Sequence, residues 1–347
     1  MRQDVLAPAA GERGGQDVVL VAHTQVLTFV RRHGRSGPSH RGDEGSNATP
    51  HRDAQRRHAV ASDPTTPAGC GSASLRGGTG LASCHMSRAG LVLSREAPPA
   101  GVVAELASRL GEAESTLLRV IIALARLQPA SAEVAALAGV QVRPAPPRIP
   151  LTALPVHADA VGRRFAAVVD LLAEEGLLVA SSQRALRART ADVSLLVRRW
   201  IGGGPACDGR DALALRIAGV AMRPLLRHLS LSLEPPDGPA CAASRRCPYC
   251  AGGPDFATMA RLARVLYCAR CDAAWRAPRA GCAFCGESRL DRLAFRRAGE
   301  PPYGLQVCAS CRHYLKSVEV PVSGYLAIER ALSAPLDSGA RATGLVG

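Results

Sequence analysis

The sequence has little lysine, few aromatic residues and no long apolar run. Among 43 cationic residues Lys316 is the single lysine, and Phe, Trp and Tyr together make up 3% of the 347 residues. Such one-sided use of arginine is typical of GC-rich coding, so the net charge of +14 is weak evidence for a nucleic-acid partner. The 34 glycines, 25 prolines and 21% charged residues exclude a coiled coil and an acidic disordered chain.

No membrane-spanning or export segment is visible in the sequence. The longest weakly polar stretch near the start, residues 18–30, contains His23, Thr24 and Gln25 and is too short to cross a bilayer. It also lacks the basic flank and the small-residue cleavage site of a signal peptide. We therefore expect a cytoplasmic protein whose 12 cysteines stay reduced, so that grouped thiols bind metal or carry out redox chemistry.

Changes in composition divide the chain into four segments. Residues 1–85 are rich in Gly, Ser, Arg and His and predict a disordered or non-functional N-terminal extension. Residues 86–240 are rich in Ala, Leu and Val at helical spacing and predict an α-helical domain. Residues 241–316 carry the grouped cysteines, and residues 317–347 predict a C-terminal tail with one short helix.

Two helices of the predicted helical domain have clear start or stop signals. Apolar residues lie on one face over residues 161–172, and Gly176 is placed to end that helix. The same spacing recurs over residues 213–220, where Pro224 follows. Because proline removes a backbone donor and clashes with the preceding turn, we expect Pro224 to kink or stop the helix.

Eight cysteines form four Cys-x-x-Cys segments, here called cysteine turns. Each turn places two sulfurs where both reach one ion, and two turns complete a tetrahedral four-thiolate site. The separations of 17 residues between the first two turns and 22 between the last two favour pairing of consecutive turns. The predicted ligands are Cys247, Cys250, Cys268 and Cys271 in one site and Cys282, Cys285, Cys308 and Cys311 in the other. The alternative is interleaved pairing, first turn with third and second with fourth.

The predicted sites have a structural role in this interpretation. Residues 241–316 contain few large apolar side chains, whereas structural zinc stabilises zinc-finger peptides by about 10–16 kcal/mol. A closed four-thiolate site has no vacant position for a substrate, which argues against a catalytic metal. Zinc and iron are both candidates for the two ions, because thiolates accept either. A thioredoxin-type dithiol is a further alternative.

Strand-like residues flank the cysteine turns and predict small β-hairpin modules. The separation within each pair of turns is long enough for a hairpin, as in rubredoxin-like and zinc-ribbon modules. The predicted fold class is therefore α+β, with an α-helical N-terminal domain followed by two small rubredoxin-like or zinc-ribbon β-hairpin modules.

The cysteine segment is strongly basic before its thiolates are counted. Residues 241–316 carry a formal charge of +8, and each four-thiolate site with a divalent ion contributes −2, leaving about +4. Arginines beside the turns, such as Arg245 and Arg276, offset these anionic sites. Nucleic-acid-binding zinc ribbons also carry arginines, so that class is the alternative function. Most of the few aromatic residues lie at positions needed for the core of a small module, which disfavours base stacking.

The order of the cysteine motifs resembles that of the formate dehydrogenase accessory protein family. The motifs are Cys247-Pro-Tyr-Cys250, Val265-Leu-Tyr-Cys-Ala-Arg-Cys271 with Trp275, Cys282-Ala-Phe-Cys-Gly286 and Cys308-Ala-Ser-Cys-Arg-His-Tyr-Leu-Lys316. That family has a helical N-terminal domain followed by two rubredoxin-like or zinc-ribbon metal sites. The resemblance is specific over residues 247–316, general over 140–240 and absent over 1–85.

The resemblance implies a cytoplasmic maturation factor that is not an enzyme. Members of the family contact the catalytic subunit of formate dehydrogenase and are needed for its activity. Their metal ligands map onto the eight cysteines above, and their Tyr-Leu-Lys element maps onto residues 314–316. Family members usually continue with an acidic helix, whereas this chain has Pro321 to Arg330. We expect a protein partner rather than nucleic acid or a membrane, and the sequence indicates no oligomeric state.

Overall fold

The computed structural model describes residues 92–203, 209–234, 244–259, 263–297 and 302–347, together with the backbone of two strands near the N-terminus. These strands, β1 (Gln16–His23) and β2 (Val26–His33), form an antiparallel hairpin. The other residues of segment 1–85 lie outside the described part, so the predicted non-functional extension stays a prediction.

The helices that precede the cysteine turns form one layer of the molecule. They are α1 (Ala100–Ala107), α2 (Glu112–Arg126), α3 (Ser131–Ala136), α4 (Ala158–Glu174), α5 (Ala180–Ala188), α6 (Val193–Ile201) and α7 (Gly209–Ser232). Helices α4 and α6 both pack against α7, and Phe165, Leu196 and Ile217 are fully buried between them. Gly176 follows α4 in the left-handed conformation, at φ +71°, as its placement in the sequence predicts.

Pro224 lies inside α7, which continues to Ser232. Of the two expected effects, a kink or a stop, the stop does not occur. Ala221, Met222, Leu225 and Leu226 around it are fully buried in the core. The packing on both sides of the proline stabilises the helix by more than the loss of one backbone hydrogen bond destabilises it.

Six strands after α7 form a single mixed sheet. They are β3 (Pro254–Met259), β4 (Ala263–Cys268), β5 (Ala274–Pro278), β6 (Leu293–Arg297), β7 (Tyr303–Cys308) and β8 (Tyr314–Val318). Their order across the sheet is β5-β4-β3-β8-β7-β6. Strands β3 to β5 belong to the first ribbon (residues 244–278), and β6 to β8 belong to the second ribbon (residues 282–318). The predicted α+β class with two small modules is confirmed.

Backbone hydrogen bonds between one strand of each ribbon join the two ribbons into this sheet. Strand β3 pairs in parallel with β8, placing Phe256 opposite Lys316 and Thr258 opposite Val318. All other neighbours in this sheet are antiparallel. The first strand of one ribbon therefore lies beside the third strand of the other and runs in the same direction, as in a translated repeat. Every residue of the central strand β8 is buried, whereas the edge strand β6 is partly exposed along its length.

The C-terminal segment contains two helices rather than the one predicted. Helix α8 (Leu326–Leu332) packs against α2, where Ile328 and Ala331 are buried. Helix α9 (Pro335–Ala342) packs on the second ribbon, where Ala340 contacts the cluster of Leu305, Val307 and Tyr314. The helical spacing of apolar residues is hard to see in this part of the sequence for two reasons. The apolar faces of both helices are short, and glycine and proline lie near residue 321.

No single helix in the described part of the chain is long and apolar enough to cross a bilayer. Two neighbouring helical segments, Glu112–Arg126 and Ser131–Gly139, are long and apolar enough only when they are taken together. The chain bends by 53° between them.

Candidate metal centres

All four cysteine turns share one backbone geometry. The N–H of the first cysteine donates to the carbonyl five residues later, and its carbonyl accepts from the N–H four residues later, with distances of 2.8 to 3.2 Å. The residue at that fourth position is left-handed in every turn: Ala251, Asp272, Gly286 and Arg312, with φ between +57° and +81°. Among the described residues, the three that are not glycine are the only non-glycine residues with positive φ. The chain accepts this unfavourable conformation where it brings two sulfurs together.

Backbone N–H groups within the turns point at the sulfurs. The N–H of Arg270 donates to Cys268 Sγ at 3.3 Å, and that of Phe284 donates to Cys282 Sγ at 3.3 Å. Such donors favour the thiolate over the thiol, because they stabilise negative charge on sulfur. The turns are therefore built to present ionised cysteines.

The structure gathers the eight cysteines into two groups of four. Within each group all four sulfurs lie within 4.8 Å of one another, and the groups combine consecutive turns. The first group contains Cys247, Cys250, Cys268 and Cys271, and the second contains Cys282, Cys285, Cys308 and Cys311. This is the consecutive pairing expected from the separations, and the interleaved alternative is not the arrangement observed.

The sulfur separations fit a tetrahedral ion. Cys250 Sγ lies 3.4 Å from Cys268 Sγ, and Cys285 Sγ lies 3.7 Å from Cys308 Sγ. Four thiolates bound to zinc at about 2.3 Å in a tetrahedron are about 3.8 Å apart. Both groups can therefore hold one metal ion each, of a kind that accepts four thiolates.

Burial acts against ionisation of these thiols in the absence of a cation. It raises the pKa of Cys247 and Cys271 in the first group and that of Cys282 in the second. In the second group it also raises the pKa of Cys311, to about 12. Four ionised cysteines at neutral pH thus require a positive charge at their centre, which a divalent metal supplies.

The first site is buried between the helical layer and the sheet. Each of its four cysteines is at most 1% exposed, and all four belong to the same apolar cluster as α4, α6 and α7. The backbone N–H of Ile149 donates to Tyr249 O at 2.7 Å within the first turn. The hydroxyl of Ser230 on α7 donates to Cys271 O at 3.0 Å. Folding of the helices and assembly of this site are therefore coupled.

An ion cluster connects the second cysteine turn to two helices. Asp272 accepts hydrogen bonds from Arg223 of α7 and from Arg330 of α8, each at 2.5 Å. Arg330 also contacts Asp255 at 2.7 Å and donates to Cys268 O at 3.0 Å. Burial alone would raise the pKa of Asp272, but the two guanidinium groups outweigh it and hold the pKa well below its usual range.

The second site lies nearer to solvent. Cys282 and Cys308 are buried, Cys311 is half-buried and Cys285 is exposed. Arg245 donates a hydrogen bond to Cys285 O, so an arginine expected beside the sites does contact a turn. None of these four cysteines belongs to the apolar cluster of the helical layer. The two sites therefore share a backbone design but differ in access.

His313 lies outside the ligand set of the second site. Its Nδ1 is 3.0 Å from Cys311 O, and its ring centre lies 4.7 Å from that of Phe284. The histidine therefore supports the fourth cysteine turn rather than supplying a ligand. Cys70, Cys84, Cys207 and Cys241 lie outside the described residues.

The ion cluster around Asp272 was not found from the sequence. Arg223, Arg330 and Asp272 are separated by 49 and 58 residues, and no spacing rule relates them. One local signal existed: aspartate tolerates the left-handed position that directly follows a Cys-x-x-Cys pair. Its partners become evident only from the packing of α7 and α8.

The chain is similar to a solved structure. No protein-family model and no curated protein matches the chain. Among solved structures, the chain is similar to the crystal structure of the FdhE protein from Pseudomonas aeruginosa, with a TM-score of 0.45 and 22% sequence identity. The similarity covers 70% of this chain and 89% of that one. Because the TM-score is below 0.5, the function proposed next rests on the cysteine motifs and the site geometry.

Proposed function

We propose that this protein is a cytoplasmic accessory factor that binds the catalytic subunit of formate dehydrogenase and is needed for its assembly or activity. The supporting observation is the tandem of two four-cysteine sites behind a helical layer. Its motifs over residues 247–316 resemble the formate dehydrogenase accessory protein family. In this proposal the protein is not itself an enzyme, and the eight cysteines hold two structural zinc or iron ions.

Both ions have a scaffolding role in the proposal. Bound to four thiolates, each ion supplies charge neutralisation and a cross-link between two turns. The protein's own residues then provide the recognition surface. Arg292 directly precedes the edge strand β6 and Arg297 is its last residue; both are exposed, where they can meet an acidic surface of the client.

Co-purification with the client tests this proposal. The tagged full-length chain and the formate dehydrogenase catalytic subunit of the same genome are co-expressed, and the captured subunit is quantified. We expect capture by the wild type, reduced capture by Arg292→Glu/Arg297→Glu, and unchanged capture by Arg163→Glu, which alters an exposed arginine on α4. Equal capture by both variants would contradict the assigned surface, and no capture by the wild type would contradict the proposed partner.

Loss of the gene gives an independent test of the requirement. Cells without it should produce the catalytic subunit but show little formate-dependent dye reduction, with recovery on re-expression. Normal activity in the deletion strain would overturn the proposal. Metal analysis of protein purified with and without oxygen distinguishes zinc from iron, and two ions per chain are expected.

The alternative function is nucleic-acid binding by the ribbons. It predicts RNA or DNA affinity that falls steeply with salt. Tyr249, Tyr267, Trp275 and Tyr314 are buried, which removes the largest stacking platforms of the ribbons from the surface. Salt-dependent RNA binding without client capture would favour this alternative.

A further inference from the structure

A small cleft with four arginines lies where the second cysteine turn meets α2, α7 and α8. We call it the arginine cleft; it has a volume of about 40 Å³. The side chains that carry charge at its wall are Arg95, Arg223, Arg227, Arg330 and Asp272. The rest of the wall is mainly apolar, including Ile121, Leu124 and Leu326.

Two of the four arginines of the arginine cleft have no carboxylate partner in the described part of the chain. Arg223 and Arg330 share Asp272, and Arg330 also contacts Asp255. Arg227 donates to the carbonyls of Ala125 and Leu127 and has no carboxylate partner among the described residues. Arg95 has no hydrogen bond or ion pair to any described residue. Arg95 and Arg227 thus have no anionic hydrogen-bond partner among the described residues, whereas Arg223 and Arg330 do.

One buried hydrogen-bond donor at the cleft also lacks a partner within the described ranges. Arg330 is 3% exposed, yet its Nε has no partner among the described residues. Arg227 is 8% exposed, and burial lowers its pKa; nearby Asp272 partly opposes this effect, and Arg223 and Arg330 add to it. Buried guanidinium groups without an anion are costly, because the apolar wall does not replace their hydration.

We propose that the arginine cleft binds one small oxyanion, either inorganic or a short carboxylate. The volume matches about three water molecules, which is the size of an anion with three to five non-hydrogen atoms. Oxygen atoms of such an anion accept charge-assisted hydrogen bonds from guanidinium groups, and the apolar wall strengthens their attraction. The anion supplies the anionic partner that Arg95 and Arg227 lack and links α2, α7 and α8 to the second cysteine turn.

Titration calorimetry of the full-length chain tests this site. Sodium phosphate and sodium acetate serve as inorganic and carboxylate probes, in a low-salt buffer without either anion. We expect one equivalent of at least one probe to bind. Arg95→Gln should weaken binding about tenfold or more, because it removes a charged donor without breaking a protein contact. The matched control Arg163→Gln, on the exposed side of α4, should bind as the wild type does.

A second variant tests the location without removing charge. Ala125→Leu places a larger side chain at the wall of the arginine cleft and should abolish binding. Thermal unfolding confirms that each variant is folded, and the same probe should raise the melting temperature of the wild type but not of Ala125→Leu. The proposal is wrong if neither probe binds the wild type, or if Arg95→Gln and Ala125→Leu both retain its affinity, which would indicate an adventitious ion only.

Discussion

Lys316 Nζ lies 2.8 Å from Asp337 Oδ2, and both side chains are buried. The other carboxylate oxygen accepts a hydrogen bond from the Tyr314 hydroxyl at 2.8 Å. Tyr314 and Lys316 belong to the Tyr-Leu-Lys element of β8, on which part of the family resemblance rests, and Asp337 belongs to α9. The element thus anchors the C-terminal helix to the second ribbon.

Removing the carboxylate of Asp337 should strongly destabilise the second ribbon. Asp337→Asn leaves the single lysine of the chain buried without its counter-ion, which we expect to lower the free energy of unfolding by about 3–5 kcal/mol. Replacing both partners, as Lys316→Met/Asp337→Leu, should cost less than the single change. Urea denaturation measures both effects. A second measurement uses the fact that Lys316 is the only lysine: its reductive methylation should be slow in the wild type and faster in Asp337→Asn.

Neutralising Asp272 should loosen the contact between the first ribbon and the helices. Asp272→Asn keeps a residue that tolerates positive φ but leaves Arg223 and Arg330 without a shared anion, at a cost of about 3–5 kcal/mol. Because the folded-state pKa of Asp272 is depressed, its contribution is present above the unfolded pKa of about 3.9 and is lost as pH falls below it. The difference in unfolding free energy between wild type and variant should therefore shrink between pH 5 and pH 3. A constant difference would show that the carboxylate charge is not responsible.

The grouping of the cysteines was predictable because it depends on local geometry. Two residues between cysteines fix both sulfurs on one turn, and the separation of 17 residues within Cys247–Cys271 matches a hairpin that returns the chain to its start. The helix ending at Gly176 was predictable for a similar reason, since its signals lie within one turn. In each case the information lies within a short stretch of chain.

The joining of the ribbons was not predictable, because it depends on a parallel contact between distant strands. Phe256 of β3 and Lys316 of β8 are opposite each other, although 59 residues lie between them in the sequence. The same register places Ala257 opposite Ser317. Nothing in either strand alone specifies that partner. The two sites differ in exposure because all four cysteines of the first site, and none of the second, belong to the apolar cluster of the helical layer.

Gly219 of α7 should tolerate no side chain, because Trp200 occupies the space. A Cβ built on Gly219 would lie 2.5 Å from Trp200 Nε1, and the ring of Trp200 also lies beneath Arg270 at 5.0 Å. Gly219→Ala must displace the indole and should destabilise the protein by about 1–3 kcal/mol. Gly339 of α9 has open space around its position, so Gly339→Ala should be neutral or stabilising by about 0.5–1 kcal/mol. Thermal unfolding of both variants checks the contrast; equal effects would show that helix propensity, and not the indole, decides.

The second four-cysteine site should lose its metal before the first. Cys285 is exposed, whereas every cysteine of the first site is at most 1% exposed. A chelator reaches the first site only after the helices separate from the ribbon, so we expect two phases of metal release that differ in rate about tenfold or more. Mass spectrometry after pulse alkylation should find Cys285 and Cys311 labelled in the first phase. Release of both ions at one rate would contradict this order.

Cysteine variants separate the two sites by their effects on the rest of the fold. Cys268→Ser should remove one metal and destabilise the helices as well, because Cys268 belongs to the same apolar cluster as α4, α6 and α7. Cys285→Ser should also remove one metal, but with the loss of structure confined to the second ribbon. Metal content with hydrogen exchange measures both effects. Unchanged metal content in Cys268→Ser would refute the ligand assignment, and equal loss of helical protection in both variants would refute the independence of the second site.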